Sequence, residues 1–190
     1  MGYITEHKRL AKPKNANTFY RKFISEDILD LLEKSSSVEA DDGSFTFNLP
    51  LDIVPASRPR LGRGIAYTAE PYNSFKKVLS EFFASTLGDY LLTSFHDVPL
   101  RLELVVGYKI PKSYSKKKRA DLLGQYKITT PDCDNVVKCV EDALEQSGII
   151  GNDSTIAIVT VTKLWAEDYS STIKVNKLQR LPTTGDTYDH

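Results

Sequence analysis

Between Leu100 and Val106 the chain sets Leu100, Leu102, Leu104 and Val106 against Arg101, Glu103 and Val105. Strand side chains point to opposite faces in turn, so this run predicts a strand with one buried face, ending near Pro111. Stretches of a different period flank it. Before it, Tyr72, Phe75, Val78, Leu79, Phe82 and Phe83 recur at helical spacing from Pro71, a residue suited to a first turn, as far as Gly88. Such an aromatic stripe buries against a sheet far more often than it stacks bases, so it is read as core. After it, a helix is expected over about 134 to 147. Phe45, Phe47 and Leu49 predict one more strand, with Pro50 and Pro55 as punctuation. Two last strands, Ser154 to Trp165 and Thr172 to Val175, are expected to form a hairpin through Ala166 to Ser171. The order is β(β)αβαββ and the expected class is α+β, a mixed sheet packed against helices, with no internal repeat.

Only the middle of the chain carries this patterning. Residues 1 to 43 are read as an appendage: a basic arm, a short helix capped by Ser25 with Ile28, Leu29, Leu31 and Leu32 on its apolar face, and a linker over 35 to 43. Residues 44 to 178 form the main domain, and 179 to 190 a flexible tail. A chain of 190 residues with 41% hydrophobic content can bury a core of its own. No secretory apolar run and no stretch of about 18 apolar residues occurs, so a soluble cytoplasmic protein without membrane contact is expected. Cys133 and Cys139 suit neither a disulfide framework nor a zinc ribbon, and are read as reduced thiols.

Lys plus Arg number 25 and Asp plus Glu 25, so net charge says nothing about nucleic acid. The distribution is more informative. Lys109, Lys112, Lys116, Lys117, Lys118, Arg119 and Lys127 face only Asp121 within their stretch, read as a basic loop over 112 to 131, and the acid-rich segment 129 to 153 follows directly. Cations that hold a phosphate backbone beside carboxylates that hold metal would be arranged this way, although a solvated lysine-rich loop would look the same. Arg58, Arg60 and Arg63 lie among Gly62 and Gly64, offering fork-shaped donors to phosphate oxygens or, equally, forming a surface hairpin paired with local acids.

The segment Pro131-Asp132-Cys133-Asp134-Asn135-Val136-Val137-Lys138 carries the chemistry. In an extended approach to a helix, Asp132 and Asp134 point the same way, and two carboxylates on one side attract a hard cation such as Mg²⁺. Without metal such a cluster repels itself, and at least one carboxyl should resist ionisation. Lys138 lies one helical turn after Asp134 and reaches the same phosphate. An Asp N-cap followed by an i,i+4 surface ion pair would show the same letters.

From Pro131 to Asp153 the chain resembles the RusA family of Holliday junction resolvases. There an Asp-x-Asp-Asn motif opens a helix, a lysine follows one turn later, and Asp-Ala-Leu leads through a glycine to another aspartate. The counterparts are Asp132, Asp134, Asn135 and Lys138, then Asp142-Ala143-Leu144, Gly148 and Asp153. Arg58-Pro59-Arg60 with Tyr67, and Pro111-Lys112-Ser113, are similar to its longer phage and bacterial members, so that the resemblance covers 45 to 176. It implies that Asp132, Asp134 and Asp153 bind metal, Mg²⁺ with Mn²⁺ as the alternative, and that Lys138 assists catalysis. It further implies a homodimer that nicks two strands of a four-way DNA junction symmetrically. Lys112, Lys116, Lys117, Lys118 and Arg119, with Arg58, Arg60 and Arg63, are the expected DNA contacts. Two departures stand out: Asn152 replaces the first of a paired aspartate, and the N-terminal 44 residues have no counterpart.

A helix over 134 to 147, at 1.5 Å per residue, is about 20 Å long, which would carry Asp153 far from Asp132. Either the connection folds back, or Asp153 completes the site of a two-fold-related partner; the shared site is the expectation. The rival functions are a non-catalytic junction-binding protein and a general metal-dependent nuclease. A phosphotransferase is disfavoured, and no nucleotide cofactor expected, because no glycine-rich phosphate loop precedes a helix.

Overall fold

A computed structural model describes residues 34–40, 43–57, 60–62, 65–67, 70–91, 95–179 and 181. The expected basic arm, the short helix capped by Ser25 and nearly all of the C-terminal tail lie outside these residues. The strands are β1 (Ser36–Glu39), β2 (Phe45–Leu49), β3 (Arg60–Gly62), β4 (Ile65–Tyr67), β5 (Leu100–Lys109), β6 (Ile156–Ala166) and β7 (Ser170–Lys177). The helices are α1 (Glu70–Leu91), α2 (Lys116–Leu122) and α3 (Cys133–Ser147), with a single 3₁₀ turn at Asp153–Thr155. Five strands form one mixed sheet in the order β1-β2-β7-β5-β6, in which only β5 and β6 run parallel, and β3 and β4 pair apart from it. The α+β class is therefore as expected.

The alternation read from the sequence decides which face is covered. Phe45, Phe47 and Leu49 of β2, Leu100, Leu102, Leu104 and Val106 of β5, and Ile173 and Val175 of β7 are all buried. The residues between them, Asn48 and Val105 among them, are exposed or half-buried. Helix α1 lays its aromatics on that covered face: the Phe47 ring lies 4.6 Å from Phe83 and 6.1 Å from Phe82, centroid to centroid. Burying a side chain of this size contributes about 1.5–3 kcal/mol, so the stripe is a main source of stability. Helix α3 packs beside α1 through Val136, Val137, Cys139, Val140, Ala143 and Leu144, all buried.

Three local readings change. Residues 35 to 43 are not simply a linker, because Ser36–Glu39 pairs antiparallel with β2 as the outermost strand. The expected β6–β7 hairpin does not form. Strand β5 lies between them, parallel to β6 and antiparallel to β7, and the connection over 167–169 crosses its end. Gly107 permits that crossing: a Cβ there would overlap Ser170 Oγ and lie 3.1 Å from Ala166 Cβ. The basic loop contains a helix, α2, whose N-cap Ser115 accepts a bond from Lys118 N at 3.2 Å. No residue of α2 is buried, so no apolar period announced it. The arginine-rich stretch does form the antiparallel pair β3–β4, while the side chains of Arg58, Arg60 and Arg63 lie outside the described residues.

Candidate active site

Helix α3 opens at Asp132, its N-cap, in extended conformation, and closes on Gly148, whose φ of 79° is the left-handed geometry glycine favours. Asp132 occupies the capping position, yet its side chain makes no capping bond. Its carboxylate is exposed, as is that of Asp134 in the first turn, and among the described residues neither forms an ion pair. The surface-pair alternative for Asp134 and Lys138 is not what forms. Lys138 Nζ instead reaches Asp142 Oδ1 at 2.8 Å and Asp153 Oδ2 at 2.8 Å. Asp142 also accepts a bond from the Tyr72 hydroxyl of α1.

Asp153 therefore returns to its own helix. The connection folds back because Ile149 and Ile150 are buried, Ile150 bridges to Phe95, and His96 Nε2 lies 2.8 Å from the Gly148 carbonyl. Asn152, the departure from the paired aspartate, caps the 3₁₀ turn that carries Asp153: its Oδ1 accepts from Ser154 N at 3.0 Å, and its Nδ2 donates to Glu145 at 3.3 Å. The length of α3 does not separate Asp153 from the motif, since Lys138 lies about 6 Å along the axis from Asp134.

The electrostatics follow from these contacts. Hydrogen bonds to Asp142 and then Asp153 hold the Lys138 ammonium well above the usual lysine range, and the same lysine holds Asp153 below the usual carboxylate range. Asp153 is not a carboxyl of this cluster that resists ionisation, because a cation rather than another carboxylate is its nearest neighbour. Burial pushes the Cys139 thiol up to about 12, and Cys133 and Cys139 are both free cysteines.

Two further lysines brace the segment that leads into Asp132. Lys127 is 8% exposed, and its Nζ lies 4.9 Å from the Tyr108 ring centroid and 5.0 Å from that of Trp165. It donates to Thr129 Oγ1 at 2.7 Å and to the Thr130 carbonyl. Lys163 of β6 donates to the carbonyls of Thr129, at 2.8 Å, and Pro131. The strut lysines and the Tyr72–Asp142 contact were missed from sequence. Asp142 had a visible signal in its i,i+4 spacing from Lys138; the lysines had none.

Beside Asp132 a cavity of about 430 Å³ opens between α3 and the segment after β2, with Asp52, Ile53, Ala56, Tyr108, Asp132 and Asn135 among its lining residues. Lys112, Lys116, Lys117 and Lys118 are exposed and Arg119 half-buried, with Lys118 Nζ 3.6 Å from the Tyr114 ring centroid.

Among the described residues no three His, Cys, Asp or Glu side chains stand close enough together to form a metal-holding group. The donors themselves suit a hard divalent cation: two exposed carboxylates on the opening of one helix, one of them free of its capping duty, and a third held ionised. Among the described residues no helix is long and apolar enough to cross a membrane. The family model described as endodeoxyribonuclease RusA matches residues 50–176. No curated protein matches the chain.

Proposed function

Because the chain belongs to the RusA family of endodeoxyribonucleases, we propose that it resolves four-way DNA junctions as a divalent-metal-dependent homodimer, nicking two strands symmetrically. The observation that supports this reading is the return of Asp153 to Lys138, which lies one turn beyond Asp134 on α3. Asp132, Asp134 and Asp153 would hold the cation, Mg²⁺ or Mn²⁺. When bound, it supplies the Lewis acidity that phosphodiester hydrolysis needs.

The chain's own residues do the rest. Lys138 offsets negative charge building on the phosphate, and Asp142 with Tyr72 orients Lys138 from behind. Lys127 and Lys163 keep the turn before Asp132 in place. Lys112, Lys116, Lys117, Lys118 and Arg119, with Arg58, Arg60 and Arg63, track the phosphate backbone. Strand β6 is an edge of the sheet, with Ile158 and Val159 exposed on its two faces, and a second copy would pair along that edge. Two-fold symmetry then matches the symmetry of a junction.

The test is cleavage of a synthetic four-way junction in Mg²⁺, run beside plain duplex and flap DNA. Paired symmetric nicks on the junction, abolished by Asp134→Asn without loss of binding, are expected. Equal cutting of all three substrates would leave a general nuclease, and binding without cutting a non-catalytic junction protein. Mixed dimers of Asp132→Asn and Asp153→Asn chains should stay inactive if each chain uses its own Asp153. Restored cleavage would mean that the site is shared.

A further inference from the structure

The cavity beside Asp132 has a chemistry that phosphate binding does not explain. Asp132 belongs to the cation site proposed above, and the other acid of the lining, Asp52, is a carboxylate that repels phosphate oxygens. Ile53, Pro55, Ala56 and Pro131 supply apolar walls, and Tyr108 adds an aromatic side chain whose hydroxyl is buried without a hydrogen-bond partner. The site is built rather than incidental. Ala56 N donates to the Asn135 carbonyl at 2.8 Å, fixing the segment after β2 to the first turn of α3, and Ser171 Oγ donates to the Leu51 carbonyl at 2.7 Å from the other side. The hollow is open to solvent on one side, and its volume of about 430 Å³ leaves room for one planar ring against the apolar walls.

An occupant must be flat or apolar on its faces, carry hydrogen-bond donors on an edge, and bear no negative charge there. A bare cation would leave the apolar walls unused. We infer that this cavity receives one unpaired nucleobase next to the cleaved phosphodiester, and that Asp52 selects bases carrying an exocyclic amino group. The inference rests on the junction-cleaving function proposed above, because Asp132 both lines the cavity and belongs to the catalytic constellation. Cytosine, adenine and guanine each offer an amino N–H to a carboxylate. Thymine offers a single ring N–H between two carbonyls, whose oxygens oppose the carboxylate.

Two measurements test this. In the first, junctions carry the fluorescent base 2-aminopurine at single positions around the crossover and are mixed with protein in EDTA, so that binding is read without cleavage. A several-fold rise in fluorescence is expected at one position, and it should vanish in Ala56→Trp, which fills the cavity. If anisotropy shows the junction bound and no position responds, the base pocket is refuted. If the junction does not bind at all, the junction-cleaving function falls and the inference with it. In the second, cleavage is compared with each of the four bases at the responding position. Wild type should disfavour thymine by about fivefold or more, and Asp52→Asn should level the four rates. An unchanged preference in Asp52→Asn overturns the assignment. So does equal loss of cleavage with all four bases, which would make Asp52 part of the metal site instead.

Discussion

Replacing Lys127 by Met removes a buried ammonium and keeps an unbranched side chain of similar reach, so the change isolates what the charge does. Lost are the bonds to Thr129 Oγ1 and to the Thr129 and Thr130 carbonyls, and two contacts with the rings of Tyr108 and Trp165. A hydrogen bond from a charged donor is worth about 1.5–3 kcal/mol and a desolvated cation–π contact up to about 2 kcal/mol. Two effects offset these losses. Thr129 and Thr130 are exposed, so water replaces the ammonium. Burial and the neighbouring Lys163 already hold the Lys127 pKa below its usual value, a sign that the charge is retained at a cost. The net destabilisation expected is about 1–3 kcal/mol, which at about 2–4 °C per kcal/mol for a chain of this size lowers Tm by roughly 2–12 °C. Thermal unfolding followed by circular dichroism measures this. Because Lys127 braces the turn that ends at Asp132, kcat for junction cleavage should fall at temperatures where the protein is fully folded, while the junction Kd stays within about twofold. Should Tm move by less than about 1 °C with kcat unchanged, Lys127 is no strut. Should Kd alone weaken, it is a phosphate contact.

Lys138→Met should separate stability from activity. Its ion pairs are part-exposed and worth at most about 1 kcal/mol, so Tm should barely change while cleavage falls at least about 100-fold; a parallel loss of both would mean that Lys138 is structural. Lys116, Lys117 and Lys118 changed together to Ala should flatten the plot of log K against log salt by up to about 2.7, at about 0.9 per phosphate contact, measured by anisotropy between 50 and 200 mM salt; an unchanged slope removes α2 from the DNA interface. Burial holds the Asp52 pKa above its ordinary value of about 3.9, against a smaller opposing effect of a backbone hydrogen bond. The protonated form is therefore favoured by folding, and its contribution is full below the unfolded pKa and lost as pH rises through the folded one. Asp52→Asn should then raise Tm at pH 7, with the gain shrinking toward pH 4; a gain independent of pH would refute the burial argument.

What could be read from sequence tracks what each pattern physically reports. Alternation reports a strand with one buried face, and Phe45 to Leu49 and Leu100 to Val106 are buried on that face as expected. Strand β1 was missed because an outermost strand is held by backbone bonds, and Ser36–Glu39 needs no apolar period to make them. The β6–β7 connection looks like a hairpin because only three residues join the strands. What prevents pairing is the insertion of β5 between them, which the bare Gly107 allows and no short-range signal reveals. Among the proposed site residues, the common placement of Asp132, Asp134 and Lys138 was legible because they lie in and just before the first turns of one helix. The position of Asp153 was not, since a length argument assumes that the chain continues outward, whereas the burial of Ile149 and Ile150 turns it back.

The basic residues that looked uniform in sequence divide by what they touch. Lys109 pairs with Asp168 across the β6–β7 crossing, Lys127 is buried between two rings, Lys138 is shared by two aspartates, and Lys163 holds two carbonyls. Lysines already satisfied by the protein release few counterions on binding DNA, so they contribute little to salt-dependent affinity and much to the placement of the carboxylates. Lys112, Lys116 and Lys117 stand exposed, and Lys118 rests on a tyrosine ring with its side chain still accessible. On the function proposed above, affinity would rest on the exposed lysines of α2 and its approach, and the placing of the carboxylates on the lysines the protein already pairs. A helix with no buried residue, such as α2, can accept changes that alter how tightly DNA is held without moving the groups that would cut it.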